Sequence, residues 1–485
     1  MLDFFDVIII GGGLGGLTAG AKLSREGKRV LLLEQHSVPG GYATTFRHKE
    51  FRVEAGLHEM DGFGGGNLKQ KIFTELDIFN HVKFPEIPHF YRAITQRKDV
   101  TVPHDLHAAK ALLLQEFPHE AAGLDTYFSR MEQFRKYRPE SEAEAFESIG
   151  SYLDRLIRDE ELKLILLGNL MAFSDDPYLL SMDYYAQAQG TYYNSGSVFI
   201  EGGSQVLSDY LAGYIESHGG AIRYRHLAVE ILMESELCSG VRYRSLSDGT
   251  VYTARCRQVV VNAALPQVAS SLLPAESGNI LKDIISDRTP GASLYTLYLC
   301  FDRPLKEIGN QCYCTCVYGP DVNTLNDIGR NSHGRFEDKT YVLTDYSHIR
   351  SGLVAEGKGF AALVAEDYLN YWNGMTPEDY KQRKAEVTAS FLSRLEQLVP
   401  GLNRHLVWYD AATARTMKRY TLNTDAAVYG FAQNPGPRSK QRISPVANLH
   451  IASAWDKFGG GFSGVIYSGY FAALEALRQE RLTVR

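Results

Sequence analysis

The feature that most narrows what this chain can fold into is a glycine turn set between two buried strands near its start. Residues 7–10 form a continuous β-branched run, the pattern of a parallel strand covered on both faces. Gly11, Gly13 and Gly16 then form G-x-G-x-x-G, residues 17–25 continue with helical spacing, Gly27 stops that helix, and residues 29–33 supply a second buried strand ending on Glu34. Strand, glycine turn, helix and terminal acid together meet each condition of a dinucleotide fingerprint. Gly11 permits the tight turn, Gly13 lets the backbone approach a pyrophosphate, and Gly16 lets the helix pack on the strand. The helix N-terminus offers free N–H groups and positive dipole to that anion. Glu34 is placed to accept hydrogen bonds from ribose hydroxyls, and an acid there disfavours a 2′-phosphate. The fingerprint alone leaves NAD and FAD open.

The chain is long enough to enclose such a unit and more, since 485 residues correspond to about three domain equivalents of ~150 residues. With 44% apolar and 22% charged residues it can build a large core without disulfide staples. Its 51 basic and 57 acidic side chains give a net charge of −6, and no Lys/Arg block tracks a phosphate backbone, so nucleic acid is not an expected partner. The six cysteines are sparse, and Cys312, Cys314 and Cys316 alternate, which suits reduced thiols and a cytoplasmic location. If residues 311–318 are extended, these three share a face with neighbours roughly 6.6 Å apart, too far for a strand alone to wrap one metal. No His or fourth Cys follows at finger spacing, so no metal site is expected. The acidic opening residues argue against a secretory signal, and the longest mainly apolar stretch, residues 162–173, is about half what a bilayer crossing requires. A cytoplasmic protein that is soluble or touches a membrane peripherally is expected.

Helical spacing dominates residues 104–185. A second α/β stretch covers residues 199–262, with a helix over 204–218, strands over 221–224, 229–232 and 259–261, and a hairpin of 241–243 with 251–253 about Asp248-Gly249. Residues 293–301, 340–344 and 359–365 read as strands of an antiparallel or mixed sheet, and residues 377–398 as a helix. The last segment reads as strand, glycines and helix. Gly459, Gly461 and Gly464 spell a second G-x-G-x-x-G, but no strand and no acid follow at the required distance. Its better role is to start a helix near Ser463 whose dipole meets a charge that develops on reduction.

Pro39-Gly40-Gly41 is followed by Phe51, Gly56 and His58; Glu201-Gly202-Gly203-Ser204 precedes a helix; Arg419-Tyr420-Thr421 and Tyr429-Gly430 lead toward Asn448, Trp455 and the final glycines. On these residues the chain resembles FAD-dependent oxidoreductases of the phytoene desaturase, carotenoid isomerase and retinol saturase group, within the amine-oxidase-like flavoprotein class. The resemblance spans nearly the whole chain and is weakest over residues 63–185. It implies an α/β fold in which a Rossmann-type FAD-binding domain (1–95, 196–288 and 410–485) is intertwined with an α+β substrate domain of helices and mixed or antiparallel sheet (96–195 and 289–409).

It also implies FAD contacts. Gly11, Gly13, Leu14, Gly15, Gly16 and Glu34 form the fingerprint end; Gly40, Gly41, Tyr42 and Thr45 follow the cofactor path; Val229 resembles the family's backbone contact to adenine. Asn262, Trp455, Gly461, Ser463, Gly464 and Val465 complete the set, with Trp455 and the final helix start at the flavin. His58 looks like the Gly-x-His of retinol saturases, although Glu54 stands where that pattern has Asp. An imidazole can deliver a proton near neutral pH, so His58 is the expected proton donor. The implied function is saturation, desaturation or isomerisation of carbon–carbon bonds in a lipophilic polyene or isoprenoid, with an electron donor or acceptor that the sequence does not identify. Two rivals are an amine or amino-acid oxidase, which often carries Arg where this chain has Tyr42, and a non-catalytic flavin- or lipid-binding protein.

Overall fold

The computed structural model describes residues 4–64, 66–134, 145–436 and 443–483. The opening unit is β1 (Phe4–Ile10), α1 (Leu14–Arg25) and β2 (Val30–Leu33), with β1 and β2 parallel and Ile10 opposite Leu33. Later segments add α2 (Gln205–Ser217), β3 (Ala221–Arg223), β4 (His226–Glu234), β5 (Leu237–Ser245), β6 (Val251–Val261), β7 (Leu449–Ile451) and α3 (Gly461–Thr483). The sheet runs β4-β5-β6-β1-β2-β3, and β7 lies parallel to the second half of β6. Residues 251–253 and 259–261, read from the sequence as separate strands, are one long strand that pairs β5 with its first half and β7 with its second. Val, Ile and Leu fill β1, β2 and the end of β6 because helices cover them. α1 packs against both α2 and α3, and glycine allows the approach: a Cβ on Gly469 would lie 2.1 Å from the carbonyl of Gly15.

A second seven-stranded sheet runs Leu406–Ala412, Ser293–Phe301, Gly359–Asp367, Tyr341–Asp345, Cys314–Val317, Tyr91–Ile94, Asp99–Val102. Its pairs are antiparallel except Cys314–Val317 with Tyr91–Ile94. Tyr91–Ile94 therefore belongs to this sheet, and the chain crosses into it before residue 95. Every residue of Ser293–Phe301 and Gly359–Asp367 is buried, which fits central strands covered on both faces. The helices Leu106–Glu116, Ala121–Glu132, Ile149–Leu156, Glu160–Leu166 and Met182–Ser195 add to the second unit. Two small pairings stitch the units together, the hairpin of Thr45–His48 with Phe51–Glu54 and the short pair of Met60–Asp61 with Ser197–Val198. All six cysteines are free and buried. Among the described residues no helix is long and apolar enough to cross a membrane.

Candidate functional site

A cavity of about 740 Å³ opens at the carboxyl ends of β1, β2 and β6 and extends across the second sheet, where ligands bind in open α/β sheets. Its floor is the glycine turn. Gly11 has φ +97°, and a Cβ there would stand 2.3 Å from the carbonyl of Asn262, so backbone meets backbone only because the side chain is missing. Gly13 is the N-cap of α1, no side chain caps that helix, and its first turn carries no acid. The opening N–H groups thus face the cavity at Leu14 and Gly15 without a competing carboxylate. At the end of β2 the buried carboxylate of Glu34 accepts the N–H groups of Gly12 and His36, both at 2.7 Å. Burial raises its pKa, and those two hydrogen bonds oppose the rise. β4 shifts register between Ala228 and Glu230, leaving Val229 outside the ladder and on the cavity wall. Gly40, Gly41, Tyr42 and Asn262 line the same wall.

Two residues of the expected set do not line the cavity, and for Gly16 this agrees with its packing role in the fingerprint. Gly16 faces inward: a Cβ there would lie 2.1 Å from the Gly11 carbonyl, so it serves helix-on-strand packing. Thr45 is a correction. Its strand turns toward α2, and its hydroxyl donates to Glu54 at 3.3 Å and accepts the N–H of Gln205 at 3.2 Å, away from the cavity.

At the opposite end Gly461, Ser463, Gly464 and Val465 present the start of α3 to the cavity, beside Trp455. Trp455 is 1% exposed and packs edge-on against Phe431, with ring centroids 4.9 Å apart. The Ser463 hydroxyl bonds Asp61, and the fully buried Lys69 ammonium reaches Ser463 Oγ at 3.1 Å and Asp61 at 2.9 Å. Burial lowers the pKa of Lys69 while Asp61 opposes the shift. Lys69 and Asp61 neutralise one another, so the positive potential at this end of the cavity is that of the α3 N-terminus. An uncapped α1 over a glycine cradle, an acid beyond it and a positive end at α3 fit the pyrophosphate, ribose and flavin of FAD. Sequence reasoning passed over Asp61 and Lys69, which stand in a mixed polar and glycine-rich stretch that carries no local signal.

Between these ends the wall is aromatic, with Tyr184, Tyr192, Tyr313 and Tyr429 beside Cys314 and Leu294. His58 lies on it. The loop carrying His58 is tied down by Glu54, whose carboxylate accepts Ser204 N–H and Oγ–H at 2.7 Å each, Leu57 N–H at 2.9 Å and Gly56 N–H at 3.1 Å. A Glu in place of the shorter Asp still serves both the loop and the entry to α2. The Tyr346 hydroxyl donates to the Leu57 carbonyl at 2.7 Å and lies 3.3 Å from His58 Nδ1. With its one proton directed at Leu57, that hydroxyl accepts from Nδ1–H, which fixes the imidazole tautomer and leaves Nε2 an acceptor. Burial pushes the His58 pKa down to about 4. The ring is neutral at pH 7, which removes it as the ready proton source that the sequence suggested. Because the folded pKa lies below the unfolded one, this group's stability contribution is complete above about pH 6.5 and is lost as pH falls through about 4. The difference in unfolding free energy between wild type and His58→Asn, measured by urea titration, should be flat above pH 6.5 and change between pH 6.5 and 4; a flat difference throughout would refute a buried neutral ring.

The chain matches the family model described as flavin containing amine oxidoreductase over residues 14–477. It is 24% identical over 470 residues to prolycopene isomerase 2, chloroplastic, of an Oncidium hybrid cultivar, covering 90% of this chain and 76% of that protein. It is 23% identical over 528 residues to all-trans-retinol 13,14-reductase of Macaca fascicularis, covering 98% and 86%. A crystal structure of an oxidoreductase from Methanosarcina mazei shares the fold, with a TM-score of 0.67 at 18% identity over 97% of this chain and all of that one.

Proposed function

The chain belongs to the flavin containing amine oxidoreductases, and from that premise we propose that this FAD-dependent oxidoreductase acts on carbon–carbon double bonds of a lipophilic polyene. Saturation, desaturation and isomerisation are all chemistry of this kind. In this reading the first sheet with α1 and α3 holds FAD, and the second sheet with the helices between residues 106 and 195 faces the substrate. FAD, when bound, supplies two-electron exchange. The protein supplies the rest. The first turn of α1 would hold the pyrophosphate and Glu34 the ribose, and the start of α3 would favour negative charge at the flavin end. The tyrosine-rich wall orients an extended apolar chain and keeps water from it.

The observation that supports the polyene reading over an amine one is the apolar, tyrosine-rich wall. Leu294, Cys314, Tyr184, Tyr192, Tyr313 and Tyr429 give an extended apolar and aromatic surface, Asp61 is already paired with Lys69, and burial pushes Glu59 up to about 8, so the wall offers a long lipophile contact along its length and no net charge at pH 7. Under anaerobic conditions the photoreduced protein should be reoxidised by all-trans-retinol or a carotene in detergent micelles, and the oxidised protein should not be bleached by putrescine or cyclohexylamine. Bleaching by amines with no response to polyenes would reverse the assignment; no flavin response to either, with no isomerisation of the added polyene, would favour a non-catalytic flavin binder. A lipophilic substrate also suits delivery from a membrane surface touched peripherally.

A further inference from the structure

Glu59 was not among the residues that the sequence singled out. It follows His58 directly, faces the same cavity, and lies among Tyr192, Tyr313, Tyr429 and Cys314. Among the described residues no cation pairs with it; the charged group nearest in effect is Asp61, itself held by Lys69. Its one hydrogen-bond partner leads outward. Ser197 Oγ donates to Glu59 Oε2 at 3.0 Å and lies 2.9 Å from His104 Nε2. The short pairing of Met60–Asp61 with Ser197–Val198 sets that contact. His104 is partly exposed, stacks on Phe90 with centroids 5.0 Å apart, and neighbours the exposed His89. The acid is thus linked through a hydroxyl to a partly exposed imidazole whose Nδ1 is buried close to the exposed His89.

We propose that Glu59 is the catalytic acid that exchanges a proton with a substrate carbon, and that Ser197 and His104 are positioning residues forming the hydrogen-bonded path that returns this proton from the surface. The proposal rests on the polyene reading above. Saturation of a C=C bond adds H⁻ to one carbon, the two-electron chemistry that FAD supplies with electrons from an external two-electron donor, and H⁺ to the other. The π bond breaks and two C–H bonds form. The O–H bond of Glu59 breaks to leave a carboxylate. The Ser197 proton then passes to Oε2 and the Nε2 proton of His104 to Ser197 Oγ, while His104 takes up a proton at Nδ1 in the same step, so that no imidazolate forms. One proton crosses the path per bond saturated, and desaturation runs the same steps backward.

The surroundings hold the acid in its donating form. Burial raises the Glu59 pKa to about 8, the Asp61 charge adds to the rise, and the hydrogen bond from Ser197 opposes it. The other groups facing it bring no positive charge: His58 and His104 are each lowered to about 4 by burial, Tyr429 is raised to about 12, and burial also raises Tyr192, Tyr313 and Cys314. A neutral carboxylic acid at pH 7 is a far better proton donor than a neutral imidazole.

The test uses the FAD-loaded full chain and has two arms. In the first, infrared spectra of wild type minus Glu59→Gln, taken across pH without substrate, should contain a protonated-carboxyl C=O band that titrates away near pH 8. Only carboxylate signal at neutral pH would overturn the proposal whatever the substrate proves to be. In the second, reoxidation of the photoreduced protein by retinol should slow by roughly 10²- to 10⁴-fold in Glu59→Gln with FAD content unchanged. The wild-type rate should fall as pH rises past about 8, and the variant should lack that limb. Ser197→Ala should give an intermediate loss that Ser197→Thr, which keeps the hydroxyl, restores. An unchanged rate in Glu59→Gln, or Ser197→Thr as slow as Ser197→Ala, would also overturn it. If no polyene reoxidises, reduces or is isomerised by the wild type, the polyene reading falls and the infrared arm alone decides Glu59.

Discussion

Gly13→Val is expected to give a folded protein that carries no flavin. Gly13 caps α1 at the cavity floor, beside the N–H groups that would bind the pyrophosphate. A Cβ there would approach only the amide nitrogen of the Asn262 side chain, at 2.8 Å. That group is the end of a side chain and can move, so the backbone survives while the valine methyls occupy the phosphate position. The neighbouring glycines cannot make this distinction. A Cβ on Gly15 would stand 1.9 Å from the Ala452 carbonyl and one on Gly11 2.3 Å from that of Asn262, so changes there would strike backbone and damage the fold itself. Flavin absorbance after gel filtration, read beside circular dichroism and Tm, separates the cases. Wild-type flavin content in Gly13→Val would rule out this floor as the pyrophosphate site. Tm should also drop, since a ligand at 100 times its Kd adds about 2.7 kcal/mol to the folded state.

The second large effect is expected from Glu54→Ala. The carboxylate holds the N–H groups of Gly56, Leu57 and Ser204 and the Ser204 hydroxyl in a buried setting. Each buried donor left without an acceptor costs about 1–3 kcal/mol, and water entering the vacated volume recovers part of it. A net destabilisation of about 3–5 kcal/mol is expected, near the size seen when one partner of a buried charged contact is removed. Glu54→Gln, which keeps one acceptor oxygen, should fall between. Urea unfolding measures both, and a loss under about 1 kcal/mol in the alanine variant would mean that the loop is held by other contacts. The same variant should loosen His58 and Glu59, because Leu57 is one of the groups released.

What the sequence made legible was the chemistry carried by local patterns. Gly11, Gly13 and Glu34 sit within one strand–helix–strand unit, whose spacing alone brings them together, and the helix at residues 377–398 could be read to its ends from periodicity and its N-terminal proline. The wall of the cavity was not legible in this way. Tyr192, Tyr313 and Tyr429 come from three distant segments and meet only after the second sheet has formed. Glu59 was hidden for a related reason, since its neutral state comes first from burial, which only the assembled fold supplies, with Asp61 two residues on adding to it. Thr45 failed for the opposite cause: proximity to Gly40 and Gly41 suggested a shared role, but alternation along a strand sends its side chain to the other face. The parallel pairing of Tyr91–Ile94 with Cys314–Val317 joins segments so far apart that no local signal marks it.

The late arrival of β7 and α3 bears on how this protein is made. Synthesis proceeds from the N-terminus, and early segments can begin folding as they emerge. Gly11, Glu34, Val229 and Asn262 are all translated before Leu449, yet β6 keeps an unpaired edge until β7 adds to it, and Asn448 ties the Cys238 and Arg257 backbones together only then. Trp455 and the start of α3 follow later still. A ribosome-bound chain short of this point holds a half-walled site with an open strand edge, the kind of surface that invites wrong pairing. The cavity therefore has its full wall only once the segment from Leu449 to Tyr467 has been added, and the strand edge stays open until then.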